Sequence, residues 1–387
     1  MDLLERAARL QKMLAQIAPD NKIETLPRPQ PSGGMESFPA QNTMIDSALD
    51  KLARGRHDEI DKNEIFGLEA IVMRENRPVV FVRNGTYDNL GIPWTDLNKP
   101  EVKARLNPLL PLVGRVEVPR SPILPYAGTG FIVGDGLIAT NRHVAQIFAQ
   151  GLGHTIRFQA GDAAIDFKKE ENSPEDDRSA YLIVSGVEMI HPYWDMALLR
   201  VENLPTNSML RLSTRSPADL IHHNIIAVGY PARDERNDLA LQDKVFEGRY
   251  LVKRLQPGVI RDRAQIQSFE NQVNAMTHDA STLGGNSGSA IIDVDSGEVV
   301  ALHFAGEYLK ANYAVPMYEL ARDDRVSRLL NFDGTLPATR DFDAAWQSAE
   351  GSERIARSSP QSQPASDTRL QSPPSAATVA VGDSHAM

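Results

Sequence analysis

The chain has 387 residues, 41 Lys and Arg against 51 Asp and Glu, a net charge of −10 and no cysteine. At about 100–200 residues per domain, that length allows one large domain with an accessory region, or a few small domains. The missing cysteine excludes a disulfide framework, a thiolate metal site, an iron–sulfur centre and a thiol nucleophile, and the negative charge argues against broad binding to nucleic acid or anionic membrane.

At the N-terminus, Asp2, Glu5, Arg6, Arg9 and Lys12 interrupt any apolar run of the secretory type. No stretch approaches the roughly 20 apolar residues that span a bilayer. The expectation is a soluble, cytoplasmic protein with no membrane partner. Leu3, Leu4, Ala7, Leu10, Leu14 and Ile17 share a face at helical period, which predicts a docking helix over 2–18. Residues 26–41 are rich in Pro, Gly and Ser and read as a linker. A second helix is expected over 43–55, from Ile45, Ala48, Leu49 and Leu52. Short β-type runs follow at 68–72 and 78–82, with turn chemistry between them.

From about 112 the β pattern becomes regular. Runs at 113–118, 130–133, 137–140, 155–158, 181–184, 196–201, 224–228, 244–255, 290–292, 299–302 and 313–315 are separated by Gly, Pro, Asn and Asp. That spacing predicts an all-β sandwich or barrel. A helix over 317–330 is expected to close the folded part. Residues 348–387 are mostly Ser, Pro, Ala and Gln and cannot offset their ordering entropy, so a disordered tail is expected. The division is an accessory region at 1–111, a β-rich domain at 112–330 and a C-terminal segment at 331–387. The accessory region carries no motif and is free to regulate access or to recruit an unknown partner.

Three distant segments fit one mechanism. Leu137-Ile138-Ala139-Thr140-Asn141-Arg142-His143 ends in a histidine just after a strand. His191-Pro192-Tyr193-Trp194-Asp195 opens an apolar strand with an aspartate, and Gly284-Gly285-Asn286-Ser287-Gly288 holds a serine in a Gly-flanked loop before a strand. A serine hydroxyl needs an imidazole to take its proton, and the imidazole needs a carboxylate to fix its tautomer. Glycines beside the serine let backbone N–H groups converge on the oxyanion, each worth about 2.7–4 kcal/mol. The oxyanion hole is assigned to the N–H groups of Gly285 and Ser287.

These segments resemble the trypsin/chymotrypsin-like serine proteases over about 112–325. Thr140–Ala145 resembles the family's His motif, Asp195–Leu199 its Asp motif, and Gly285–Ser289 its Ser motif in the Gly-Asn-Ser-Gly-Ser form of bacterial glutamyl endopeptidases. Val228-Gly229-Tyr230-Pro231 recurs in bacterial members too. The resemblance implies two antiparallel six-stranded β-barrels with the active site between them. It also implies a cofactor-free serine endopeptidase acting on protein or peptide: Ser287 the nucleophile, His143 the general base and acid, Asp195 its orienting carboxylate. The position six before the serine is Ser281, so a pocket for Arg or Lys lacks its counter-charge. Thr282, His303 and Gly306 match positions lining the acid-binding pocket of glutamyl endopeptidases, which implies Glu or Gln before the scissile bond. Asn286 replaces the aspartate that pairs with a processed N-terminus in trypsin-type zymogens, so competence without N-terminal cleavage is expected. Those glutamyl enzymes also place a free N-terminal amine in the pocket, whereas here the corresponding region is internal.

A competing reading is a catalytically idle or highly selective binding module on the same fold. A third is an esterase, but the Gly-x-Ser-x-Gly elbow and Ser–Asp–His order of α/β-hydrolases are absent. His222-His223 lacks a third ligand in sequence, so no metal site is expected. Glu170-Glu171 and Glu175-Asp176-Asp177 read as a solvated acidic loop, and 233–238 as another charged loop.

Overall fold

The computed structural model describes residues 76–349 apart from 175, 205–206, 235–238 and 308–310, together with 7, 11, 47–48, 50–52, 54–61 and 64. The linker at 26–41, the strand at 68–72 and the tail beyond 349 lie outside the described residues, as does most of the charged loop at 233–238. Of the two N-terminal helices, Ala7 and Gln11 are helical, as are Ser47, Ala48 and residues 50–52. Gln11 Nε2 donates to Leu52 O at 3.2 Å, so these two stretches touch. No helix among the described residues is long and apolar enough to cross a membrane.

Strands β1 (Val80–Arg83) and β2 (Thr86–Tyr87) form a hairpin. Its turn residues Asn84 and Gly85 both have positive φ, 51° and 70°. That conformation is the one Asn-Gly adopts at least cost, and it matches the twist of the flanking strands. Helix α1 (Pro100–Leu106) starts on a proline, which sacrifices no hydrogen bond at that position. It buries Val102 and Leu106, and Pro108 and Pro111 keep the next turn from continuing it.

The first barrel is built from β3 (Val113–Glu117), β4 (Gly128–Gly134), β5 (Leu137–Thr140), β8 (Ala164–Asp166), β9 (Tyr181–Ile190) and β10 (Ala197–Val201). The ring runs β3-β4-β5-β10-β9-β8 and closes on β3, leaving no free edge. Between β5 and β8 lie a helical turn, α2 (Arg142–Ala145), and a side hairpin of β6 (Ala149–Leu152) and β7 (Thr155–Phe158). The second barrel follows β11 (Leu212–Ser213). Its six strands are β12 (Asn224–Gly229), β13 (Arg254–Ser268), β14 (Asn271–His278), β15 (Ala290–Asp293), β16 (Val299–Glu307) and β17 (Ala311–Pro316), closed by the β12–β13 pairing. Helix α3 (Leu239–Val245) sits between β12 and β13, and α4 (Met317–Ala321), α5 (Asp324–Ser327) and β18 (Phe332–Asp333) follow β17. The fold is the two-barrel, chymotrypsin-like one.

The structure differs from the sequence reading in several places. The run at 244–255 is not a strand: α3 ends at Val245, positive φ at Glu247, Gly248 and Leu251 breaks extension, and pairing begins at Arg254. The polar alternation of β14 conceals a strand paired along its length with β13. The helix expected over 317–330 is two short ones, because Asp323 leaves the helix and its side chain caps α5 by accepting from Arg325 N. The ordered body also continues past 330, with Phe342 and Trp346 buried in the main core.

Residues 76–111 share that core rather than standing apart: Val82, Tyr87, Trp94 and Leu106 pack in one cluster with Phe131 and Leu198. The junction is polar as well. β1 pairs with the start of β13, where buried Arg254 donates to Val79 O, Phe246 O and Arg249 O and stacks on Phe81. Beside it, Lys253 is fully buried and donates to Leu110 O at 3.0 Å and Phe167 O at 2.9 Å. Burial lowers its pKa to about 8 although Glu170, 3.5 Å away, opposes the shift. Glu170 and Glu171 are therefore not a merely solvated face: the first faces Lys253 and the second pairs with Arg249.

Candidate active site

His143 sits on the one-turn helix α2, directly after β5, so its ring is fixed by the rim of the first barrel. Asp195 is separated from the start of β10 by Met196 alone, and β10 is the neighbour of β5. Strand pairing thus brings together two residues 52 positions apart. His143 Nδ1 lies 2.7 Å from Asp195 Oδ2, and Asp195 Oδ1 accepts the backbone N–H of His143 at 3.0 Å. Asn141 Nδ2 donates to Asp195 O, which fixes the aspartate backbone too. The His143 side chain is 37% exposed and that of Asp195 only 5%, so the imidazole faces solvent while its carboxylate is shielded.

Ser287 lies in the tight loop between β14 and β15. Gly285 and Gly288 have φ of +83° and +88°, which side chains bearing a Cβ rarely adopt. A Cβ on Gly285 would stand 1.9 Å from Tyr126 Oη and 2.4 Å from Tyr230 O. The loop is pinned to the first barrel: Thr129 N donates to Ser287 O at 2.8 Å and Thr129 Oγ1 to Gly285 O at 2.9 Å. A Cβ on Gly128 would touch both Ser287 O and Val144, the neighbour of His143, at 2.8 and 2.9 Å. The serine loop and the histidine helix therefore meet across one glycine. Among the described residues, neither the N–H of Gly285 nor that of Ser287 donates to a backbone carbonyl, while Asn286 N turns back to Leu283 O. Asn286 itself is fully buried and bonds within the loop through Ser289 Oγ.

Of the residues expected to bind substrate, Thr282 and Gly306 meet around Asn312, and His303 lies further along β16. Thr282 Oγ1 donates to Asn312 Oδ1 at 2.6 Å, and Asn312 Nδ2 donates to Ala280 O at 2.6 Å. A Cβ on Gly306 would fall 2.4 Å from Asn312 Oδ1 and 3.7 Å from Thr282 Oγ1, so the glycine keeps this space open. His303 O accepts from Gly288 N at 2.9 Å, which puts β16 beside the serine loop. Its ring is buried, with Nδ1 3.2 Å from His278 Nε2. Burial first, then His278 and His143, hold the His303 pKa well below its usual value, and burial lowers that of His278 to about 4. Both rings are neutral at neutral pH. Ser281 is buried and donates to Arg77 O at 2.8 Å.

Asn312, His278 and Arg77 join the site without having been picked out in sequence. Asn312 follows the first residue of β17 and His278 ends β14, positions with no motif to mark them, and Arg77 lies 202 positions from its partner Asp279. Behind Asp195, His191 Nδ1 accepts from Tyr193 N and Trp194 N, and its Nε2 faces Asp323 at 3.3 Å. Trp346 donates to the same Asp323 carboxylate at 2.8 Å and, with Phe342, packs against the His191 ring. His223 lies beside Asp293 and Asp295, which supply the further ligand atoms missed in sequence. Asp293 is already held by Arg215, Ser296 and His223, and a guanidinium at that carboxylate opposes a second cation.

Residues 128–302 match the family model of the trypsin-like peptidase domain. The chain carries a trypsin-like peptidase domain. It is a serine-type peptidase, a hydrolase whose family acts on protein or peptide. The chain is 27% identical over 306 residues to a probable serine protease of Lysobacter enzymogenes, a match covering 70% of this chain and 78% of that one. Solved structures with a similar course include the Rv3671c protease in an inactive form (TM-score 0.40, 18% identity, covering 61% of this chain and 95% of the other). The HtrA-type protease AlgW with a decapeptide aligns with TM-score 0.38 and 16% identity, covering 57% and 66% of the two chains.

Proposed function

We propose that this trypsin-like peptidase is an endopeptidase working through an acyl-enzyme, with Ser287 as nucleophile, His143 as general base and acid, and Asp195 as the carboxylate that orients His143. The observation that carries the reading is the two-point contact between His143 and Asp195. A proton held on Nδ1 by Asp195 Oδ2 leaves the Nε2 lone pair to accept the serine proton. Asp195 then stabilises the imidazolium, which returns its proton to the leaving amine. The oxyanion that forms as Ser287 attacks is met by the N–H groups of Gly285 and Ser287, and their freedom from backbone partners supports that role.

The preference proposed before the scissile bond is Glu or Gln. Thr282 and Asn312 supply polar contacts, and His303, its Nδ1 facing His278, keeps Nε2 for the substrate. The two imidazoles are neutral, so the pocket offers N–H donors from His303 and Asn312 and the acceptor oxygen of Thr282 rather than a formal cation, and a carboxamide suits it as well as a carboxylate.

The test is labelling with a fluorophosphonate probe, comparing the parent with Ser287→Ala, followed by cleavage of a peptide library. Labelling confined to the parent and cleavage after Glu or Gln is the expected result. A parent that never labels favours the idle binding module instead, and cleavage after Arg or Lys overturns the pocket assignment.

A further inference from the structure

We infer that Arg77, in the region preceding the first barrel, is a positioning residue for the specificity pocket. The segment 279–282 that forms one wall of this pocket is gripped from two sides. On the pocket side, Asn312 holds Ala280 O and receives Thr282 Oγ1. On the far side, Arg77 binds Asp279 in fork geometry, Nε to Oδ1 at 2.8 Å and Nη2 to Oδ2 at 2.5 Å, and its own carbonyl accepts Ser281 Oγ at 2.8 Å. Two alternate residues of the wall, Asp279 and Ser281, are thus tied to one residue outside both barrels.

Arg77 is itself prearranged. Its side chain is 2% exposed, Nη1 donates to Asn76 O at 2.6 Å and to Asn76 Oδ1 at 2.9 Å, and the guanidinium lies over the Trp94 ring. Trp94 Nε1 closes the arrangement by donating to Asn76 O. Asp279 is not free to relax elsewhere, because Val259 N and Arg261 bind the same carboxylate. A planar fork on a carboxylate fixes direction as well as distance, which a lysine ammonium does not reproduce. Replacing Arg77 therefore releases one side of the Asp279 carboxylate and the acceptor of the Ser281 hydroxyl, which lets the backbone of 279–282 turn and with it the Thr282 hydroxyl, whereas His143 and Asp195 are themselves residues of the first barrel. The accessory region thereby completes the substrate pocket.

This inference rests on the pocket assignment proposed above, and the experiment separates the two. Full-length parent, Arg77→Lys and Arg77→Met are compared for fluorophosphonate labelling rate, for kcat and KM on the peptide the parent prefers, and for the residue chosen before the scissile bond across a library. The expected result is labelling within about twofold of the parent, with KM raised about tenfold or more and the library preference flattened in both variants. Arg77→Lys keeps the charge, so a loss shared by both variants points to fork geometry. If Arg77→Met does not fold, Ser281→Ala reads the same wall and is expected to shift KM in the same direction by about threefold. An unchanged preference and KM in Arg77→Lys and Ser281→Ala, whatever happens to thermal stability, overturns the inference and leaves the peptidase reading standing. A parent that does not label removes both.

Discussion

Acid is expected to loosen this protein through its buried histidines before its carboxylates protonate. His278 and His303 lie 1% and 3% exposed within the second barrel, and His191 is fully buried behind Asp195. Burial is the first cause lowering all three, opposed by Asp279 at His278 and by Asp323 at His191. A histidine whose folded pKa is depressed stays neutral in the native state while the unfolded chain takes up a proton as pH falls past about 6.5. The unfolded state then binds more protons, so stability is full above that value and falls with pH until the folded pKa is reached. For His278, shifted from 6.5 to about 4, the slope reaches about 1.4 kcal/mol per pH unit and the whole window roughly 3 kcal/mol. Asp279, Asp293 and Asp323, all lowered despite burial by their cationic and hydrogen-bonding partners, add their losses only below about pH 4. The discriminating variant is His278→Gln, whose carboxamide can still donate to His303 Nδ1 but does not titrate. Urea unfolding from pH 7.5 down to 5, in a Ser287→Ala background that removes the proposed nucleophile, gives the stability at each pH. The His278→Gln curve is expected to be shallower by about 1 kcal/mol per pH unit between pH 6 and 5. Parallel curves for the two proteins refute a neutral, buried His278.

Three further outcomes follow from the site. Asp195→Asn removes the acceptor that fixes the His143 tautomer, and kcat is expected to fall about 10⁴-fold with native circular dichroism retained; a loss under about tenfold refutes the assigned role. Gly285→Ala drives a Cβ into Tyr126 Oη and Tyr230 O at a φ of +83°, so acylation is expected to slow at least about a hundredfold in a burst assay, and a parent-like burst contradicts it. Trp346→Ala removes a fully buried indole and its bond to Asp323, with an expected cost of about 3–5 kcal/mol in urea unfolding; a change below about 1 kcal/mol shows that 338–349 does not hold the Asp195 loop in solution.

The segments proposed to carry the chemistry stood out in the sequence, and so did the two-barrel fold, while several elements around them did not. His143, Asp195 and Ser287 stand next to strands with short apolar runs, and such runs declare themselves because both faces of a closed barrel strand are buried. β14 did not declare itself: its outer end, Asn271-Gln272-Val273-Asn274, projects beyond the barrel as half of a hairpin whose polar face is wet. The false strand at 244–255 arose because Leu251, Val252 and Leu255 look extended, although positive φ at Leu251 turns the chain. Thr282, His303 and Gly306 came from resemblance alone; the structure sets Thr282 and Gly306 against Asn312, with the His303 ring against His278 on the same strand as Gly306. Arg77 and Trp346 carried no signal, since their partners Asp279 and Asp323 lie far off in sequence and nothing local reports a tertiary pair.

The absence of cysteine makes a specific demand on a two-barrel enzyme. The first barrel contributes His143 and Asp195 and the second contributes Ser287, so any slippage between barrels separates the proposed nucleophile from its proposed base. With no disulfide available, the grip must come from hydrogen bonds and stacking at the cleft. Tyr126 Oη donates to Tyr230 O and Tyr230 Oη to Val113 O, each crossing from one barrel to the other. The β13–β14 hairpin reaches further. Asn271 Nδ2 donates to Pro192 O and Tyr193 O in the Asp195 loop, and Tyr193 Oη returns a bond to Gln272 O. Phe269 at the hairpin tip is 37% exposed yet lies 3.9 Å beneath the guanidinium of Arg142, the residue before His143. An aromatic left at the surface is explained by that cation, in a contact of about 0.5–2 kcal/mol. The strand pair that leads to Ser287 thus grips both the histidine helix and the aspartate loop. Several bonds of about 1 kcal/mol each, spread around the cleft, fix the relative position of the three residues where one covalent staple would fix a single point.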